Sequence, residues 1–350
     1  MKFISIADLH LSMYSQDPIL QGVPERLYFL DLVLRNIAEY AIAQKIPKIV
    51  IAGDTFHTKS VIHALAQSML LDYVRDYRDK VEFISIDGNH DMSSKSGEGV
   101  SALKCLDVEP NVDMIHTPKQ IENVLFVPWH AKTMVKTIKE NAADVLVSHF
   151  GLNEAQLNSG ISIISDIGIG DLRSYKRCII GHYHAPQELG NVIIPGSIIQ
   201  LDWGEKHEEK RFIVMDTETD KVQSIPTSGY KKHYVIEITS ENKDEQVIEA
   251  LKLKEEGHAV NIHRVSNDVD VEDLRENFRV VDKVEKDITN RGIDSSMSTA
   301  DKLRRYMEIQ EIPEEDREEY LKCGLDIIST VTGGETECTS YSSSCGLVSV

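Results

Sequence analysis

Two short stretches set polar residues two positions apart: ADLH, with Asp8 and His10, and GHYH, with His182 and His184. In an extended chain residues i and i+2 face the same side, so each pair is expected to offer two donors to one ion. Asp54 follows Gly53, Asn89 follows Gly88, and His149 ends an apolar run. Glycine permits the tight exit from a strand that turns such a side chain into a crevice. Together these residues supply two carboxylates, one amide oxygen and four imidazoles, enough for two divalent ions if one carboxylate bridges. Mixed nitrogen and oxygen ligation without thiolate favours Mn²⁺, Fe²⁺ or Zn²⁺ over Ca²⁺. Two such ions support in-line displacement at phosphorus. They would also outweigh the charges of Asp8 and Asp54, making a locally positive pocket in a chain of formal charge −19. A phosphodiester could be held there although the surface as a whole repels it.

The elements that must position these residues are five similar segments: KFISIADLH (2–10), KIVIAGDTFH (48–57), EFISIDGNHD (82–91), DVLVSHF (144–150) and CIIGHYH (178–184). Each is a short, β-branched apolar run, as in a strand buried on both faces, and each ends in Asp, Asn or His. One strand-end His or Asp is an ordinary cap or turn residue. Six of the 13 histidines falling at five such ends is a different matter. Between the first two runs, Leu27, Leu30, Leu34, Ile37 and Ala41 recur at spacings of three and four, which predicts an amphipathic helix. Residues 59–79 read similarly. Alternating strands and helices indicate an α/β fold, in which ligands sit outside the carboxyl ends of the strands.

After about residue 190 the pattern is strand-rich, with Thr219 and Asp220 in an expected hairpin turn. YVIEIT, EQVIEALKLKEEG and AVNIHRV then suggest a β-α-β unit, continued by VEDLRENF and VVDKVEK. TNRGIDSSM reads as a linker. Ser298 with Asp301 opens a helix, and Pro313 followed by Glu314, Glu315 and Asp316 opens a second, giving a helical hairpin. Leu303, Tyr306 and Met307 form an apolar stripe on the first helix, and Leu321, Leu325 and Ile328 on the second. The Ser/Thr-rich tail is expected to be disordered.

Composition is that of a folded protein, 41% hydrophobic and 27% charged. Fifty-seven acids against 38 bases exclude a broad basic nucleic-acid surface. The apolar N-terminal run is broken by Asp8 and His10, so it is read as neither signal peptide nor membrane span, and the chain as cytoplasmic. Five cysteines without a CxxC pair fit reduced thiols.

The ordered set ADLH, AGDTFH, DGNHD, SHF and GHYH resembles the calcineurin-like metallophosphoesterases, whose series is DxH, GD, GNH[DE], H and GHxH. GDTFH, GNHD, VPWH (127–130) and IPGSIIQLDWGE are similar to the SbcD-type nucleases of double-strand-break repair, the phage recombination endonuclease subunits in particular. The resemblance implies an α/β protein: a four-layer αββα sandwich with a small α+β capping domain and a C-terminal helical hairpin. Its expected boundaries are a nuclease domain over 1–228, a cap over 229–290, a linker over 291–297, the hairpin over 298–331 and a tail over 332–350.

It further implies that Asp8, His10, Asp54 and His184 bind one manganese ion and Asp54, Asn89, His149 and His182 a second, with Asp54 bridging. His90 would orient or protonate the scissile phosphate and leaving oxygen, supported by His57. Lys59 and Lys95 are the nearest candidates for phosphate contacts, and Trp129 and His130 for the wall of the site. The implied activity is 3′ to 5′ exonuclease action on duplex DNA ends and endonuclease action on single-stranded or hairpin DNA, in recombination, repair and replication. The implied setting is a homodimer, in the host cytoplasm if phage-encoded, working with an SbcC-type ABC ATPase whose coiled-coil root the hairpin stripes would grip. Two other readings compete: a calcineurin-like esterase acting on nucleotides or phosphoproteins, and a metal-binding scaffold without turnover. The scaffold reading expects missing ligands, and all seven positions are filled.

Overall fold

The apolar runs form the strands Lys2–Ile6, Lys48–Ala52, Glu82–Ile86, Val145–His149 and Arg177–Gly181 in a computed structural model of the chain. It describes residues 1–14, 16–59, 61–141, 143–284, 293 and 297–332. Most of the expected linker at 291–297, and the expected tail beyond 332, lie outside the described residues.

The strands belong to two six-stranded sheets. One runs Lys221–Pro226, Arg211–Asp216, Lys2–Ile6, Lys48–Ala52, Glu82–Ile86, Val112–Ile115. Its last four strands are parallel. The expected hairpin closes its other edge, with Asp220 in the left-handed region at φ 53°. The other sheet runs Gln187–Leu189, Val192–Ile194, Arg177–Gly181, Val145–His149, Val124–Val127, Lys119–Ile121. Alternation along each strand divides the apolar side chains. Phe3, Val50, Ile84, Phe126, Val147 and Ile179 pool in one cluster drawn from both sheets. Ile4, Ile6, Ile49 and Ile51 face the other way, into a cluster with Leu30, Leu34 and Ile37 of the helix Glu25–Ala43. The five helical positions expected to be apolar and inward are all buried. The next helix is shorter than the pattern suggests, Ala64–Asp76, because residues 61–63 still belong to the loop that leads into it.

Parallel register levels the carboxyl ends. Ile6 pairs with Ile51 and Ala52 with Ile86, while Gly181 pairs with His149 in the other sheet. The five polar clusters therefore leave their strands at one rim.

Contacts divide the chain into two units, one of residues 1–263 with 270–281, the other of 264–269 with 282–350. The first contains both large sheets and the expected β-α-β elements: His233–Ile238, the helix Lys243–Glu255 and, up to its last residue, Ala259–Arg264. The second contains the helices Thr299–Ile309 and Glu314–Thr332. Ser298 caps the first of these, accepting the Asp301 N–H at 3.1 Å. Gly324 lets the two helices approach, since a Cβ there would stand 3.2 Å from Leu303 Cδ1. The stripes are not uniformly available to a partner. Met307 and Leu321 are buried, whereas Tyr306 is 48% exposed, with Tyr320 and Ile327 more so. Among the described residues no helix is long and apolar enough to cross a membrane.

Candidate metal centre and active site

Asp8 and His10 do not lie in an extended segment. Both are in the left-handed region, at φ 54° and 47°. The strand ends at Ile6, and the chain then runs along the second cluster. Asp8, His10 and Leu11 donate their N–H groups to the carbonyls of Gly53, Asp54 and Thr55 at 3.1, 3.0 and 2.8 Å. The two side chains still converge, but through this tether rather than through strand alternation. His182 is likewise at φ 105°, and GHYH serves two groups rather than one. Ligating atoms of Asp8, His10 and His184 lie within 4.8 Å of one another, as do those of Asp54, His149 and His182.

Asp54 stands between these groups, its Oδ2 3.2 Å from His149 Nε2 and 3.7 Å from His10 Nε2. Asn89 Oδ1 joins the second group, 2.9 Å from His182 Nδ1 and 3.2 Å from His149 Nε2. Two glycines allow this density. Gly53 is at φ +87°, and a Cβ on it would lie 2.4 Å from His149 Nδ1. A Cβ on Gly88 would lie 2.2 Å from the Asp54 amide nitrogen.

The donor chemistry fits divalent ions. His149 Nδ1 lies 2.9 Å from the Ala52 carbonyl and so carries a proton to donate. In the neutral ring its Nε2 is then a lone pair, and it faces a carboxylate oxygen and an amide oxygen. Three acceptors meeting at one point require a positive charge among them. Burial lowers the proton affinity of His149, but Asp54 outweighs it and pushes the pKa up to about 9. Burial pushes the Asp54 carboxyl up in turn, yet His149, His10 and His90 hold it well below the usual range. Asp8 is pushed up to about 6 by burial, although its oxygens accept the His182 N–H at 3.0 and 3.1 Å. Burial pulls His182 down to about 4 and His10 well below its ordinary value, so both imidazoles are neutral and able to ligate. In the first group, His184 Nε2 and His10 Nε2 meet at 3.0 Å.

His90 and His57 stand beside these groups. The His90 N–H donates to Asp54 Oδ1 at 2.8 Å, and its Nδ1 lies 2.6 Å from the His57 carbonyl oxygen. The His57 ring stacks on His90 at 5.6 Å between centroids, and its Nδ1 is 3.2 Å from His10 Nδ1. A third set of converging donors is thus His10, His57 and His90. Lys59, Lys95 and Trp129 line a cavity of about 470 Å³ together with Asn89 and His182. His130 does not line it; its Nδ1 accepts the Lys132 N–H at 3.3 Å.

Several residues that position the donors escaped the sequence reading. Glu205, fully buried, faces His184 Nδ1 at 2.8 Å and pairs with the equally buried Lys210 at 2.7 Å. Lys210 in turn donates to the His184 carbonyl at 2.9 Å. Asp91 accepts the N–H groups of Gly88, Thr55 and Phe56 at 2.9, 3.2 and 2.9 Å, tying the second cluster to the third. Asp87 pairs with His116 at 2.7 Å one residue before that loop begins, and Asp107 meets the other His116 nitrogen at 2.9 Å. DWGE and GNHD were both visible as motifs. Nothing in their spacing names the distant partners.

Residues 1–188 match the calcineurin-like phosphoesterase family, and the chain belongs to it. Members of the family bind two divalent metal ions, and the matched span contains every donor described above. The chain is accordingly a metal-dependent phosphoesterase. Exonuclease subunit 1 of Enterobacteria phage T4 is 24% identical over 340 residues, covering 92% of this chain and 97% of its own. The SbcD subunit of the nuclease SbcCD from Staphylococcus epidermidis is 22% identical over 293 residues, 73% of this chain and 76% of its own. The DNA double-strand break repair protein Mre11 of Archaeoglobus fulgidus is 23% identical over 241 residues, 61% of this chain and 53% of its own.

Outer partners of metal-binding histidines set ring orientation and basicity, and their loss weakens metal binding about 10- to 100-fold. If His184 holds one of the two divalent ions, Glu205→Ala is expected to reduce affinity for that ion by this factor while sparing the other, in a titration with Mn²⁺ as the probe followed by electron paramagnetic resonance. Unchanged affinity for both would remove Glu205 from that task.

The His116 pair gives a pH dependence. Hydrogen bonding to Asp87 raises the His116 pKa to about 9. A histidine raised in the folded state contributes stability fully below its unfolded value near 6.5 and loses it as pH rises through the folded value. Urea denaturation should show stability falling between about pH 6.5 and 9, by about 1–2 kcal/mol after allowance for partial exposure. His116→Gln should flatten that segment; an unchanged slope would assign it to other groups.

Proposed function

We propose that this phosphoesterase is a Mn²⁺-dependent DNA nuclease, acting as a 3′ to 5′ exonuclease on duplex ends and an endonuclease on single-stranded or hairpin DNA. The observation that carries the reading is the placing of two donor groups around Asp54 at the edge of a cavity with two lysines and a tryptophan. Among the described residues neither lysine has an ion-pair partner, and Lys59 Nζ lies 5.9 Å from the Trp129 ring centroid. Unpaired cations serve phosphate oxygens and an aromatic face serves a base. The nuclease names of the three relatives support the same reading.

Asp8, His10, Asp54 and His184 would hold one ion and Asp54, Asn89, His149 and His182 the other. Bound there, two ions stabilise the negative charge that develops at phosphorus and on the leaving oxygen and make water more acidic. The rest of the work falls to side chains. Lys59 and Lys95 bind the strand's phosphates and orient the scissile bond. The His90 Nδ1–H is committed to the His57 carbonyl, which directs Nε2 toward the phosphate. With both ring nitrogens of His90 protonated, Nε2 gives its proton to the leaving oxygen as the P–O bond breaks and water's oxygen bonds to phosphorus, and the proton released by that water restores the ring; His57 holds it in place by stacking.

A capping module over 229–290 and a docking hairpin over 298–331, gripping the coiled coils of an SbcC-type ATPase, complete the reading. Tyr306, Leu303, Leu325 and Ile328 are the stripe residues left at least partly exposed. Deleting residues 298–350 should leave Mn²⁺-dependent cleavage of short single strands intact and abolish co-purification with the ATPase; retained association would discard the docking role.

The test of the central claim is cleavage of hairpin-ended and single-stranded DNA with Mn²⁺ against Mg²⁺. His90→Ala is expected to lower kcat by roughly 10²–10⁴-fold with Mn²⁺ content unchanged. Undiminished turnover would refute its role, and hydrolysis of nucleotides or phosphopeptides without DNA cleavage would refute the substrate.

A further inference from the structure

A second cavity, of about 620 Å³, adjoins the donor cluster and has no task in the reaction as described. Its walls include Tyr14, Arg26, Trp203, Lys231 and His233. It meets the cluster at two places. The Tyr14 ring lies 5.2 Å from the His57 ring, centroid to centroid. Trp203 begins the short turn Trp203–Glu205, whose last residue faces His184. The volume falls within the roughly 300–1,000 Å³ of small-ligand sites.

Charge indicates what it would take. Arg26 donates to Asp17 at 3.1 Å, and its guanidinium lies 3.7 Å from the Tyr14 ring centroid. Lys231 donates to Glu25 at 3.0 Å. Both cations are thus neutralised, unlike Lys59 and Lys95 in the other cavity. Phosphate is better served there, and a neutral, planar, partly polar group is better served here. The rings of Trp203 and His233 lie 4.8 Å apart at 60°, offering an aromatic corner. The Nδ1 of His233 is buried and has no hydrogen-bond partner among the described residues. Such atoms are rare in folded proteins and call for a partner supplied from outside. Burial also lowers the His233 pKa, so the ring is neutral near pH 7 and can donate or accept.

We infer that this cavity seats one unpaired nucleobase of the strand whose neighbouring phosphate lies at the donor cluster, stacked on Trp203 with Tyr14 as the opposite wall and edged by His233. The inference rests on the nuclease reading and gives it a substrate preference. Aromatic faces stack on any base, so the seat is tolerant of sequence but closed to a base still paired in a duplex.

The test compares a single-stranded oligonucleotide with the same strand carrying one tetrahydrofuran abasic residue, placed in turn at each position near the cleaved bond, which keeps every phosphate and removes a single base. The parent should show KM about 10-fold higher on one such abasic strand, the loss appropriate to one stacked base. Trp203→Ala and, independently, Tyr14→Ala should raise KM on the normal strand to the abasic value, with kcat and Mn²⁺ content unchanged, and Trp203→Phe should restore most of the difference. Equal KM on the normal strand and every abasic one in the parent would overturn the proposal. So would a Trp203→Ala variant that loses Mn²⁺ together with activity on both strands while Tyr14→Ala behaves as the parent, since Trp203 would then only support Glu205. A parent that cleaves neither strand would instead sink the nuclease reading, which is a separate outcome.

Discussion

The interaction on which the structure turns is the burial of two carboxylates, Asp8 and Asp54, among four imidazoles at the rim of two sheets. An uncompensated buried carboxylate is costly, and protein interiors tolerate one only when it is paired, hydrogen-bonded or bound to a cation. Protons can satisfy the demand in part, which is why His149 is driven up and Asp54 down. They cannot satisfy it everywhere, because His10 and His182 are too well buried to charge, while His10 Nε2 is set against Nε2 of His184 and His182 Nδ1 against the Asn89 amide oxygen. Divalent cations remove the conflict for every donor at once. The parallel strands exist, in this sense, to deliver seven donors from five chain segments to a place where only cations make their company favourable.

Holding that company together falls to groups farther out. Each anchors a loop by its backbone, not merely a side chain by its tip. Asp91 gathers three N–H groups from two loops, and the His184 segment is held at its ring by Glu205 and at its carbonyl by Lys210. Glu205 and Lys210 are a fully buried ion pair, a costly feature to keep for stability alone. Its worth is geometric: a carboxylate facing Nδ1 leaves Nε2 as the free lone pair, aimed at the cluster.

Much of this was legible in the sequence, for identifiable reasons. Buried parallel strands read as continuous β-branched runs, and a polar residue at the end of such a run has few places to go except the rim. That logic reached Asp8, His10, Asp54, Asn89, His149, His182 and His184 as a set. It failed at the level of backbone. The i, i+2 argument assumes extended chain, and Asp8, His10 and His182 all have positive φ because the segments after the strands are shaped by tertiary hydrogen bonds. It also could not find Glu205, Lys210, Tyr14 or Trp203. The tasks of these residues are set by partners far away in the chain, and no periodicity carries that information. Nor does spacing separate buried from exposed positions in the hairpin stripes, since Met307 and Leu321 follow the same periodicity as Tyr306 yet are buried.

Charge distribution links the site to its setting. The chain carries −19 overall, and residues 231–330 hold 25 acids against 16 bases. Long-range attraction of DNA to this surface is therefore unfavourable, and screening by salt confines the effect of the donor cluster to about 8–10 Å. A substrate must be brought to within that distance before the site's own field can hold it. Lys59 and Lys95, which line one cavity with Asn89 and His182, could complete capture, but two cations cannot initiate it against the whole surface. On the nuclease reading proposed for it, a chain this acidic would need a second, DNA-binding body for encounter, and the exposed aromatic residues of the C-terminal hairpin are where that reading puts the contact.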